Sequence, residues 1–144
     1  MTVRVITLAL IAFALHFGWE MTQAKWFATM NELPFWTATA WCMRAALWDV
    51  AIAAAAYLAA AVAARNASWP RSPRALAIAV YFAVGLAITV ATEHWALAAG
   101  RWRYEAAMPT VGGIGVTPLL QWIVVPAITL AAARLVMSLR RSRR

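Results

Sequence analysis

The sequence predicts an all-α integral membrane protein, a four-helix bundle with its N- and C-termini both on the cytoplasmic side. Three observations predict it. Of the 144 residues 65% are hydrophobic and 12% charged, with a mean hydropathy of +0.69, against roughly 45–50% apolar residues in an ordinary soluble domain. Four apolar runs each reach the roughly 20 residues that a helix needs to cross hydrocarbon. The basic residues fall mostly between and after those runs, where cytoplasmic loops of membrane proteins concentrate them. A soluble globular enzyme is excluded.

The first run covers residues about 4–24 and opens on Arg4. His16, Trp19 and Glu20 continue it where a secretory signal would be ending, and no small-residue cleavage pattern follows, so it reads as a span. The second run, residues 36–64, is rich in alanine and stops at the connection Arg65–Arg74, RNASWPRSPR. Pro70 and Pro73 block the helix there, and three arginines mark a cytoplasmic loop. The third and fourth runs cover 75–99 and 116–139, and the basic tail RRSRR follows. Basic connection and basic tail give the orientation, with Lys25–Phe35 and Arg101–Gly115 outside, three basic and two acidic residues between them. The result is a single transmembrane domain over residues 1–144, multi-pass in the cell inner membrane. The Asn66-Ala67-Ser68 sequon falls in the cytoplasmic loop, where no glycosyl transferase meets it. A weak internal echo joins the halves: Glu20, Lys25-Trp26 and Pro34 in one, Glu93, Arg101-Trp102 and Pro109 in the other.

The net charge of +8 and pI near 11.3 follow from this topology and from attraction to anionic lipid; no nucleic-acid partner is expected. Cys42 is the one cysteine, which excludes an intrachain disulfide and a thiolate metal site. With no Gly-rich phosphate loop and no Asp-rich diphosphate motif, no cofactor and no metal are expected. Chemistry then rests on isolated polar residues within lipid.

Those residues are costly, a few kcal/mol each on insertion scales of about 2.5–3.5 for Asp, Lys or Arg at a helix centre, so each needs a partner or a function. They are His16 and Glu20, Arg44 and Asp49, Glu93 and His94, and Gln121. At a rise of about 1.5 Å per residue, Glu20 lies some 24 Å from Arg4 and Glu93 about 29 Å from Arg74. All seven therefore fall in the outer half of the bundle, and the inner half is nearly pure Ala, Leu, Ile and Val. Glu20, Asp49 and Glu93 outnumber Arg44, so at least one carboxyl is left without a cation. A carboxyl in that state retains its proton near neutral pH and serves as a general acid. Asp49 leads on depth, Glu93 follows on sequence context, and Glu20 completes the candidate catalytic set.

Each residue also has a plain structural reading. His16 and Glu20, four apart on one face, satisfy each other; Arg44 pairs with one of the three carboxyls; Asp49 makes a packing hydrogen bond. His94 points about 100° away from Glu93, and a metal centre of His16, Glu20, Glu93 and His94 has no recognised ligand spacing. Trp26, Trp36, Trp69 and Trp102 fit an interfacial aromatic belt. Trp19, Trp41, Trp48 and Trp95 sit deeper, beside Glu20, Arg44, Asp49 and Glu93. They either fill the core or wall a pocket in which a carbocation is steadied by cation–π attraction. Trp19, Arg44, Trp48, Trp95, Tyr104 and Gln121 are the candidate substrate-binding residues.

The stretch Glu93-His94-Trp95, Gly100-Arg101-Trp102-Arg103-Tyr104, Met108-Pro109 and Gly115-Val116-Thr117-Pro118-Leu119-Leu120-Gln121-Trp122 resembles small bacterial integral membrane proteins. It is also similar, more weakly, to membrane-embedded terpene and carotenoid cyclases and hydratases such as the lycopene cyclase domain. The resemblance implies acid-initiated cyclisation or hydration of a polyprenyl chain, independent of metal and of diphosphate loss, with Glu93 as the acid. The Pro-x-Glu-Glu element of the lycopene cyclase domain is matched here by Thr117-Pro118-Leu119-Leu120, which carries neither carboxylate and keeps a non-catalytic relative among the readings.

Two functions are thus expected of different classes. One is a membrane-embedded cyclase or hydratase of an isoprenoid-like ligand. The other is a binding or assembly subunit that packs with a membrane-protein partner or a second copy, or holds a lipid or pigment. A small transporter is disfavoured because the inner half offers no polar path. Convergence of Asp49, Glu20 and Glu93 on one cavity favours the enzyme; outward-facing or fully paired carboxyls without a cavity favour the subunit.

Overall fold

The computed structural model describes the backbone of residues 2–139 and the side chains of residues 6–135. The chain is helical as expected: α1 (Thr2–Gln23), a single turn α2 (Ala28–Asn31), α3 (Phe35–Ala64), α4 (Ala75–Ala98) and α5 (Val116–Leu139). A short antiparallel hairpin, β1 (Thr110–Val111) and β2 (Ile114–Gly115), precedes α5. The long helices close a ring in which α1 packs on α3, α3 on α4, α4 on α5 and α5 on α1. Among the described residues, α3, α4 and Val116–Leu135 of α5 are long and apolar enough to cross a membrane. Leu58, Val62 and Leu76 stand exposed on the outside of the ring, as helices apolar on every face require when their surroundings are lipid. The side chain of Arg4 and the tail Arg140–Arg144, which entered the expected orientation, lie outside the described residues.

The ring has two unlike ends. At the Arg65–Arg74 connection, the arginine end, fully buried Ala56 and Ala60 of α3 face fully buried Ala77 of α4, and small residues let the backbones approach closely. Here α3 terminates with Arg65 in the left-handed region (φ 49°). The Asn66 N–H donates to Ala61 O at 3.0 Å and the Arg65 N–H to Val62 O at 3.0 Å, the paired bonds of a Schellman terminus. Asn66 Oδ1 then accepts the Ser68 N–H at 2.8 Å, closing an Asx turn. These reversals fold the connection back over the helix ends and drive Trp69 inward. Expected in the interfacial belt, Trp69 is instead buried between Tyr57 and Tyr81, with ring centroids 5.7 and 5.6 Å away. It plugs that end of the core.

At the opposite, capped end the two long connections knit together. Phe27 and Tyr104 form a β-bridge, the Ala28 N–H donates to Arg103 O and the Glu105 N–H to Trp26 O, both at 2.9 Å. An Arg103–Glu32 ion pair at 2.7 Å and an Asn31 amide bond to Glu105 at 2.7 Å tie the same segments. The segments that echo one another in sequence are those that pair. The hairpin turns through Gly112 (φ 59°) and Gly113 (φ 82°), two consecutive positive angles that L side chains rarely adopt. It delivers the chain to α5 with Gly115 packed under Met108, Tyr104 and Pro118.

A cavity lined by three carboxyls at the capped end

A cavity of about 780 Å³ occupies the capped half of the ring, a size suited to one small apolar ligand. Its walls are mainly apolar, with Trp41 and Trp48 from α3, Trp95 and Ile88 from α4 and Trp122 from α5. Phe27 and Met30 of the knitted connections line it too. Glu20 from α1, Asp49 from α3 and Glu93 from α4 all border this one space. So do Arg44, Trp48, Trp95 and Gln121 of the expected binding residues; Trp19 and Tyr104 do not.

One wall is organised around Gln121 on the second turn of α5. Its Nε2 lies 2.8 Å from Asp49 Oδ2, 3.0 Å from Glu20 Oε1 and 3.0 Å from His16 Nδ1. An amide nitrogen has two hydrogens for these three neighbours. His16 Nδ1 is also 3.3 Å from Asp49 Oδ2. With a proton on Nδ1, His16 donates to Asp49 and the two Gln121 hydrogens serve Glu20 and Asp49. Without it, His16 accepts from Gln121 and one carboxyl loses a donor. The hydrogen bonds of His16, Asp49 and Glu20 therefore compete for one amide. Gln23 extends the wall, donating to Glu20 Oε1 at 2.8 Å and to Gln121 Oε1 at 3.1 Å. Trp19 donates its Nε1–H to Gln23 Oε1 at 3.1 Å, so it orients Gln23 instead of lining the cavity. The expected His16–Glu20 pairing gives way to these contacts because α3 and α5 bring Asp49 and Gln121 onto the imidazole, which is 1% exposed.

The second wall is Glu93. Its Oε2 accepts the Tyr104 hydroxyl and, at 3.3 Å, the Trp102 Nε1–H, which leaves Oε1 for a ligand. Tyr104 owes its place to the Phe27 bridge. Burial, with Glu93 beside it, holds the Tyr104 phenol above its ordinary range, so Tyr104 remains a donor and positions Glu93. Trp102, expected at the interface, is half-buried and borders the cavity, because the knitted connections bend it back over the end of α4.

Among the described residues Arg44 forms no ion pair, while Arg103 pairs with Glu32. Arg44 lies five positions from Asp49, about 140° around the helix, and stacks on Trp41 at 5.0 Å. His94 is exposed on the other side of α4, and among the described residues no group of three His, Cys, Asp or Glu is disposed to hold a metal ion.

Gln23, Thr89, Trp102 and Trp122 belong to the site without having been singled out for it. Gln23 had a signal three residues after Glu20, Thr89 four before Glu93, and Trp122 beside Gln121. Trp122 enters through Gly85: a β-carbon there would stand 2.3 Å from the indole ring. Thr89 Oγ1 and Trp122 Nε1 are buried without a hydrogen-bond partner among the described residues. Comparison with protein-family models, curated proteins and solved structures finds no match.

Proposed function

We propose that this chain is a membrane-embedded acid catalyst that cyclises or hydrates an isoprenoid-like chain held in the cavity. The observation that carries the reading is the convergence of Glu20, Asp49 and Glu93, from three helices, on one tryptophan-walled apolar space. In this reading all four long helices span the inner membrane, α1 included, with the exposed arginines 65, 71 and 74 on the cytoplasmic side. Glu93 is the acid, in keeping with the resemblance of its surroundings to the lycopene cyclase domain. Its Oε1 proton adds to one carbon of an alkene and leaves a cation on the other. Tryptophan faces steady that cation, while Tyr104 and Trp102 stabilise the charge left on the carboxylate. In cyclisation a second alkene of the chain forms the new C–C bond, and a proton lost from the product returns to a carboxylate, so the product is an isomer of the substrate. In hydration a water attacks the cation and its proton goes back to the carboxylate.

A second reading is supported by the closure of the His16–Asp49–Gln121–Glu20 cluster on itself: a non-catalytic subunit that holds a lipid or pigment, or packs with a membrane partner or a second copy. Expression of wild type, Glu93→Gln and Asp49→Asn in a polyprenoid-producing host, with isoprenoids profiled by mass spectrometry, separates the two. A cyclised or hydrated product lost in Glu93→Gln is the expected result. Identical profiles from three stably inserted proteins overturn the catalytic reading.

A further inference from the structure

Two guanidinium groups that border the cavity have no carboxylate partner among the described residues. Arg44 on α3 and Arg101, three residues beyond α4, both border the space and both are exposed. Each lies over a tryptophan that also borders it, Arg44 over Trp41 at 5.0 Å and Arg101 over Trp95 at 5.6 Å. A guanidinium attracted to a ring face still carries N–H donors that the ring does not use. A shortage of acids nearby does not explain the vacancy. Glu32 and Glu105 sit in the same connections, and they are engaged instead by Arg103 and Asn31. Ile52 and Ile88 line the same cavity, three residues beyond Asp49 on α3 and five before Glu93 on α4.

We propose that Arg44 and Arg101 are a headgroup site for the phosphate of a phosphate-headed amphiphile whose apolar tail fills the cavity. Two cations on separate elements match the charge of a phosphate monoester, and arginine binds phosphate by paired N–H···O bonds. The headgroup end at the capped rim and the tail toward Ile52 then carry the chain past Glu93 and Asp49, so binding energy remote from the reacting carbons orients them. The inference rests on the cavity being a ligand site; it does not depend on acid chemistry following.

The test is titration of the purified full chain in zwitterionic phosphatidylcholine nanodiscs, read by tryptophan fluorescence, with farnesyl phosphate, farnesol and inorganic phosphate as probes. Wild type is expected to bind farnesyl phosphate about tenfold or more tighter than farnesol, and inorganic phosphate far more weakly than either. Arg44→Gln with Arg101→Gln brings the preference for the phosphate down to near unity. Arg101→Gln alone, outside the helices, lowers it in part and serves where the double variant fails to insert. Equal binding of farnesol and farnesyl phosphate by wild type overturns the headgroup site and leaves the cavity standing. Binding of neither overturns the headgroup site and the proposed function together. Inorganic phosphate binding as tightly as farnesyl phosphate overturns the placement of the tail. Displacement of farnesyl phosphate by added phosphatidic acid supports the site and names bilayer lipid as its natural source of phosphate; displacement by other isoprenyl phosphates alone supports it with an isoprenoid source.

Discussion

The two ends of the ring are built from the same four helices and solve opposite problems. At the arginine end, Ala56, Ala60 and Ala77 bring α3 and α4 together and Trp69 fills what space is left. At the capped end, the same two helices present Trp41, Trp48 and Trp95, together with Asp49 and Glu93, around a cavity. A helix pair need not be uniform along its length. Alanine over four turns makes a seam, and tryptophan with a carboxyl over the next three makes a wall. The seam carries stability, and in the proposed function the wall carries the chemistry.

Substitutions that act on one end and spare the other test this division. The largest effect is expected at the seam, where Trp69→Ala removes a buried aromatic and costs about 3–5 kcal/mol, measured by unfolding in mixed micelles. Glu93→Gln comes next in consequence. It is nearly isosteric and changes stability little, but lowers product formation by about 10²-fold or more, the usual loss when a general acid is removed. Gly85→Ala tests the joint between the two ends. Its new β-carbon meets the Trp122 ring, so the indole must shift, at a cost of about 1–3 kcal/mol. The wall that carries His16, 5.6 Å from that ring, moves with it, and ligand binding falls alongside stability. Tyr104→Phe removes a donor from Glu93 while Trp102 keeps its own, so a loss of about 1 kcal/mol is expected in catalysis or binding, with the seam untouched in thermal unfolding. Val62→Ala, on the outer face of the seam and 78% exposed, should change stability by less than about 0.5 kcal/mol.

What could be read in advance depended on whether the deciding interactions were local. Helicity was legible because an apolar run of more than twenty residues leaves few alternatives, and Pro70 with Pro73 punctuated it. The crowding of polar residues toward one end was legible because axial rise turns residue number into depth. Contacts set by turns and by distant pairing were not. Trp69 reads as interfacial until the Schellman terminus and the Asx turn fold it inward. Trp102 and Tyr104 reach Glu93 because the connection 101–109 pairs with 24–34, a partner more than seventy residues away. Gly112-Gly113 between Val111 and Ile114 is a readable hairpin signal within a connection that otherwise reads as loop. The ion-pair reading of Arg44 rests on the cost of an unpaired guanidinium, but its angle on the helix takes it away from Asp49 and onto Trp41, which leaves the binding reading.

The proposed function stands or falls on where an apolar chain goes. An isoprenyl probe bearing a photoreactive diazirine in its tail, crosslinked to the full chain in membranes and mapped by peptide mass spectrometry, should label Trp41–Ile52 of α3 and Ile88–Trp95 of α4. Unlabelled isoprenoid should suppress that labelling. Labels spread over the outward faces at Leu10, Leu58, Val62 and Leu76, unaffected by competitor, would contradict the assignment of the capped-end cavity as a ligand site.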